Sequence, residues 1–104
     1  MTTTSAIRLE RARVALEGLS VGDAFGERFF THPAVVTSLI AQRALPAPPW
    51  PYTDDTEMAL SIVAVLRQYG TIDQDALARS FTTRANLGRG YGAGALKLLR
   101  HLKQ

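Results

Sequence analysis

The sequence predicts an all-α fold. Three observations carry that expectation. Apolar residues recur at spacings of three and four through most of the chain, no apolar–polar alternation runs longer than a few residues, and clusters of proline and glycine divide the periodic stretches into helix-sized pieces. A length of 104 residues allows one domain, 1–104, with a modest core. At 46% hydrophobic and 20% charged, the composition is that of a globular protein, neither disordered nor fibrous.

The elements follow in order. From Ser5 to Leu19 the residues Leu9, Ala12, Leu16 and Leu19 share one side of a helical wheel, with Arg8, Glu10 and Arg11 elsewhere. Gly18 and Gly22 then loosen the chain, and Gly22-Asp23-Ala24-Phe25-Gly26-Glu27 suits a tight turn or close helix packing. His32 and Pro33 stand where a short helix can start; Val35, Val36, Leu39 and Ile40 give it an apolar face, and Pro46 stops it. The run from Leu45 to Pro51 holds Pro46, Pro48, Pro49 and Pro51, so it can be neither helix interior nor central strand and is expected as an extended connector.

Asp54, with Glu57 three residues on, gives a capping-box-like start to a helix whose stripe is Met58, Ile62, Val65, Leu66 and Tyr69. Gly70 ends it. Asp73 or Thr71 can cap the next helix, which carries Leu77 and Phe81 one turn apart. The glycine-rich stretch Leu87 to Gly94 then enters a last helix with Leu96, Leu99 and Leu102 inside.

Composition excludes several chemistries. No cysteine is present, which removes disulfides, thiolate metal sites and cysteine nucleophiles; a metal here must take oxygen or imidazole ligands. His32 and His101 are lone histidines without a second ligand at helical spacing and read as structural or exposed. The net charge of +3 comes from scattered arginines and lysines, which reads as a solvated face and argues against specific nucleic-acid binding. With no apolar run of spanning or signal length, no membrane role is expected and the expected compartment is the cytoplasm.

Chemistry concentrates in two places. Thr53, Asp54 and Asp55 set three oxygen side chains side by side between the proline connector and a helix start, the hard donors that magnesium and manganese prefer. A divalent cation offsets the repulsion of neighbouring carboxylates. The plainer alternative is that these acids only cap the helix and favour its dipole. In Arg89-Gly90-Tyr91-Gly92-Ala93-Gly94, glycines before a helix start allow close approach of a phosphate or pyrophosphate, the alternative being an ordinary interhelical turn. Trp50 and Tyr52 can stack on a base or cover the core.

Taken in order, Gly22-Asp23-Ala24-Phe25-Gly26, then Tyr52-Thr53-Asp54-Asp55-Thr56 followed by Met58, then Arg89-Gly90-Tyr91-Gly92-Ala93-Gly94 resembles the ADP-ribosylglycohydrolase (ADP-ribosyl hydrolase) family, over nearly the whole chain from about Val14. The resemblance implies an all-α, orthogonally packed helical bundle holding two magnesium or manganese ions. The implied activity is hydrolysis of the glycosidic bond between ADP-ribose and a protein side chain or a small-molecule acceptor. Thr53, Asp54 and Asp55 map onto metal ligands, and Tyr91, Gly92 and Gly94 onto the loop lining ADP-ribose. Some relatives place a glutamate a few residues beyond the second glycine of the Gly-Asp-x-x-Gly motif; here Phe30 or its neighbour stands there, and Glu27 is the candidate catalytic substitute.

Family domains are longer and carry further metal ligands in an acidic Asp-x-Asp-Thr type motif near their C-terminal end. The expectation is therefore the N-terminal part of such a domain, incomplete and inactive alone, its partner a complementing C-terminal half or a second copy. The competing readings are a small ADP-ribose or nucleotide-phosphate binding module without turnover, and a structural helical fragment.

Overall fold

A computed structural model describes residues 3–103 and is all-helical. Five α-helices run in order: α1 (Thr3–Glu27), α2 (Pro33–Gln42), α3 (Asp54–Tyr69), α4 (Gln74–Arg84) and α5 (Ala93–Leu102), with a single 3₁₀ turn (Leu87–Arg89) before the last. α3 is central: it packs against α1 on one side and α4 on the other, and α4 in turn packs against α5.

The punctuation follows the local chemistry. His32 caps α2 by accepting the Ala34 N–H on Nδ1 at 3.1 Å, and Pro33 fills the first helical position, where no N–H is needed. Asp73 caps α4 through the Ala76 N–H at 2.8 Å. Gly70 closes α3 at φ +73°, where a side chain would be strained. The proline connector crosses from α2 to α3 without regular structure, with Pro46 buried and the Pro48–Pro49 bond cis. Trp50 ties it down, donating Nε1–H to the Pro46 carbonyl at 3.0 Å and setting its ring edge-on against Phe25 at 5.4 Å.

The main departure from expectation lies in α1. The chain does not turn at Gly22-Asp23-Ala24-Phe25-Gly26; the helix runs on to Glu27 and ends in tight bonds from Arg28, Phe29 and Phe30 to the carbonyls three residues back. Interior glycines cost a helix about 0.5–1 kcal/mol each relative to alanine. Tertiary contacts at this end offset that cost: Ala24 is buried, Phe25 stacks edge-on with Phe29 and Trp50, and Asp23 bonds to α3.

Candidate functional site

The site is built around the first turn of α3, whose start lies one residue earlier than the capping-box pattern suggests. Thr53, not Asp54, is the N-cap, and its hydroxyl accepts the Asp55 N–H at 3.3 Å. The reciprocal half of the box comes from another helix. The Asp23 carboxylate accepts the Thr53 N–H at 2.8 Å and the Thr56 N–H at 3.3 Å, along with both threonine hydroxyls at 2.6 Å. Burial opposes the charge on Asp23, but these four hydrogen bonds outweigh it and hold the carboxyl below the ordinary aspartate range. An anion at a helix N-terminus is favoured by the dipole as well.

With Thr53 as the N-cap, Glu57 lies one residue past the capping-box position and takes a different role. It is buried at 8% exposure, and its Oε1 accepts both the Tyr91 hydroxyl and the Asn86 N–H at 2.7 Å. Arg89 approaches Oε2 at 3.9 Å, lays its guanidinium over the Tyr52 ring at 3.9 Å and donates Nη1–H to the Tyr52 carbonyl at 3.1 Å. The Tyr91 hydroxyl is pushed well above its ordinary ionisation range, first by burial and then by the hydrogen bond to Glu57 and the charges of Glu57 and Asp54.

The candidate ligands Thr53, Asp54 and Asp55 therefore stand in sequence on one turn. Thr53 is buried; Asp54 is partly exposed, Asp55 is exposed, and neither carboxylate accepts a hydrogen bond from the described residues. Among those residues no three His, Cys, Asp or Glu side chains converge into a metal-holding group. Two unengaged carboxylates and a hydroxyl oxygen are a hard donor set, and magnesium is commonly held by one or two carboxylates with water completing the shell. By donor type, though not by a converged cluster among the described residues, they suit one such ion.

The glycine loop meets this turn through Glu57 and Tyr52. Gly90 adopts φ +94°, which turns the chain from the 3₁₀ segment toward Tyr91. Tyr91 is buried with its hydroxyl engaged by Glu57, so only its backbone is left to face a ligand. Gly92 is the N-cap of α5 without a side-chain cap, and a Cβ placed on Gly92 or Gly94 would meet nothing within 4 Å. Gly92, Ala93 and Gly94 are exposed, and an uncapped, solvent-facing helix start is a setting that favours an anion.

Glu27 is exposed, one turn beyond Asp23 on the same side of α1, and is not part of either hydrogen-bonded cluster. Trp50 and Tyr52 are both used internally, against Phe25 and Arg89. Sequence reasoning missed the parts played by Asp23, Glu57 and Arg89. Asp23 and Arg89 were visible only as motif letters, and nothing in one sequence links Asp23 to Thr53 thirty residues on.

No helix among the described residues is long and apolar enough to cross a membrane. The family model for ADP-ribosylglycohydrolase matches residues 4–104. The chain is 35% identical over 83 residues to the protein of Acanthamoeba polyphaga mimivirus named "Putative ADP-ribosyl glycohydrolase L543", covering 68% of this chain and 25% of that protein. It is 32% identical over 108 aligned positions to the Homo sapiens ADP-ribosylhydrolase ARH3, covering 90% of this chain and 30% of that protein. The chain thus spans under a third of the length of either relative. No solved structure matches significantly. Three motifs in order, gathered around one helix start, and a family match along almost the whole chain place this protein in the ADP-ribosylglycohydrolase family.

Proposed function

We propose that this chain supplies the metal-binding turn and the ADP-ribose-lining loop of a hydrolase that cleaves the glycosidic bond between ADP-ribose and a protein side chain or small-molecule acceptor. One observation supports the reading above all. Asp23 and Glu57 join three sequence-distant motifs around the N-terminus of α3. In this reading Thr53, Asp54 and Asp55 hold magnesium or manganese, which when bound orients ribose hydroxyls and stabilises charge as the glycosidic bond opens. The backbone at Tyr91, Gly92 and Gly94 receives the diphosphate, aided by the uncapped start of α5. Glu27, exposed on the side of α1 that carries Asp23, serves as acid or base toward the leaving group or water.

Three donors fit one hard cation. A second ion needs carboxylates from a complementing segment or a second copy, so the 104-residue chain alone is expected to bind without turnover.

Titration calorimetry with MgCl2 and then ADP-ribose tests the reading. The wild-type chain is expected to bind Mg2+, and Asp54→Ala and Asp55→Ala to lose that binding while keeping their helical circular dichroism. Retention of full Mg2+ affinity in both variants removes the metal assignment. The uncapped α5 start favours one other reading, a metal-free ADP-ribose binding module. Such a module keeps its ADP-ribose affinity in excess EDTA, whereas the metal-dependent site loses it.

A further inference from the structure

We infer that Glu57 is a positioning residue that makes the acidic turn and the glycine loop one mechanical unit. This rests on the proposed reading of residues 53–55 and 90–94 as metal and ligand elements. Glu57 sits two residues beyond Asp55 on the rigid first turn of α3, yet both hydrogen bonds it accepts come from the loop: the Asn86 N–H at the loop's start and the Tyr91 hydroxyl beyond Gly90, each at 2.7 Å on Oε1. Arg89, from the middle of the same loop, reaches the other side of the acidic turn at the Tyr52 carbonyl, 3.1 Å away, with its guanidinium stacked on the Tyr52 ring. The loop is therefore held on both flanks of Thr53-Asp54-Asp55.

Inside the loop Asn86 accepts the Arg89 N–H on its carbonyl at 2.9 Å and the Gly88 N–H on Oδ1 at 3.0 Å, bonds that shape the 3₁₀ turn without tying it to α3. Gly90 and Gly92 carry no side chain to anchor it, and Leu87 is 63% exposed. A buried acceptor that satisfies two donors at one oxygen fixes both angles of approach, and its loss leaves the buried Tyr91 hydroxyl and the Asn86 N–H without their partner. Opening of the loop thus requires breaking bonds at the first turn of α3, and loosening that turn frees the loop. An ion held by the turn stabilises the loop through this link, and the metal and ligand affinities become coupled.

Amide hydrogen exchange on the full chain tests the coupling without any turnover. Four proteins are compared: wild type, Tyr91→Phe, Glu57→Leu and Glu57→Gln. In metal-free buffer Tyr91→Phe and Glu57→Leu are expected to speed exchange about tenfold both at the hydrogen-bonded loop amides of Gly88 and Arg89 and at those of Asp55 and Thr56 in the acidic turn, leaving α1 unchanged. Glu57→Gln keeps Oε1 as an acceptor and is expected to stay within about threefold of wild type. Acceleration confined to the loop, or a glutamine variant no better than the leucine one, overturns the inference. With MgCl2 added, wild type is expected to slow in both segments and Tyr91→Phe in the acidic turn alone. Slowing confined to the turn in wild type also overturns it. No slowing anywhere in wild type overturns the metal assignment instead, and the metal-free comparison still decides the role of Glu57.

Discussion

At the residue scale, Asp23 and Glu57 show how two carboxylates of one small chain take different tasks from their surroundings. Asp23 meets four donors at a helix start and is held as an anion, whereas Glu57 lies deeper and organises a loop. Replacing Asp23 with alanine strands the donors of Thr53 and Thr56, and we expect a loss of about 2–3 kcal/mol, measurable by urea denaturation. The same bonds set a pH dependence. Since the folded carboxyl lies below its unfolded value of about 3.9, its contribution is complete above that pH and fades as the pH falls through the lower, folded value. Wild type should therefore lose stability steeply below about pH 4, and Asp23→Ala should show a shallower acid limb. A parallel acid limb in the variant would remove Asp23 as its source. Tyr91 acts at the other end of the scale: its raised hydroxyl favours the fold at neutral pH, a contribution lost as the pH rises beyond the ordinary tyrosine range. The acidic turn itself was legible in the sequence because Thr53, Asp54 and Asp55 are contiguous. The residues that support it were not, since Asp23–Thr53 and Glu57–Tyr91 are thirty and thirty-four positions apart and no periodicity encodes such pairs.

At the element scale, the helices that carry strong local signals stand where the sequence put them. Gly70, Asp73 and His32-Pro33 each act through the one or two residues beside them, so their reading needed no tertiary knowledge. α1 is the exception. Its glycines at 18, 22 and 26 argue for a break on propensity alone, and the contacts of Asp23, Ala24 and Phe25 override them. This makes a paired prediction. Gly18 is helical, and a Cβ there meets nothing within 4 Å, so Gly18→Ala should raise stability by about 0.5–1 kcal/mol. Gly90 stands at φ +94°, so Gly90→Ala should lower it by about 1 kcal/mol or more despite equally open space. Thermal unfolding of both variants distinguishes the cases. A fall in melting temperature for Gly18→Ala would mean that α1 breaks near its middle in solution, as the glycines alone suggest.

At the scale of the whole molecule, the helices form a sheet-like layer rather than a ball. The radius of gyration is 16.7 Å, against about 13 Å for a compact chain near this length, and the extents are 48 × 38 × 17 Å. Ala24, Pro46, Val65, Ala76, Tyr91 and Leu99 are the buried apolar side chains among the described residues, while Ile7, Val14 and Val21 are 47%, 54% and 62% exposed. At 100° per residue those three stand on the back of α1, opposite Leu9, Leu16 and Asp23, so α1 bears apolar character on both sides. α2 buries none of its residues, although Val35 and Ile40 are apolar. The sequence encodes these stripes without saying which are covered, so the helices were legible and the openness of their arrangement was not. Two consequences follow for the isolated chain. Exposed apolar area of this extent binds hydrophobic dyes, so anilinonaphthalene sulfonate fluorescence should rise in native buffer and not only near the unfolding midpoint. Stability should also be graded along the layer. α3, packed on both sides, should exchange its amides most slowly, and α2, which buries none of its residues, should exchange at least about a hundredfold faster. Exchange rates in α2 that match those in α3 would show that the chain unfolds as one cooperative unit, and would require α2 to be covered in solution by a surface outside this layer.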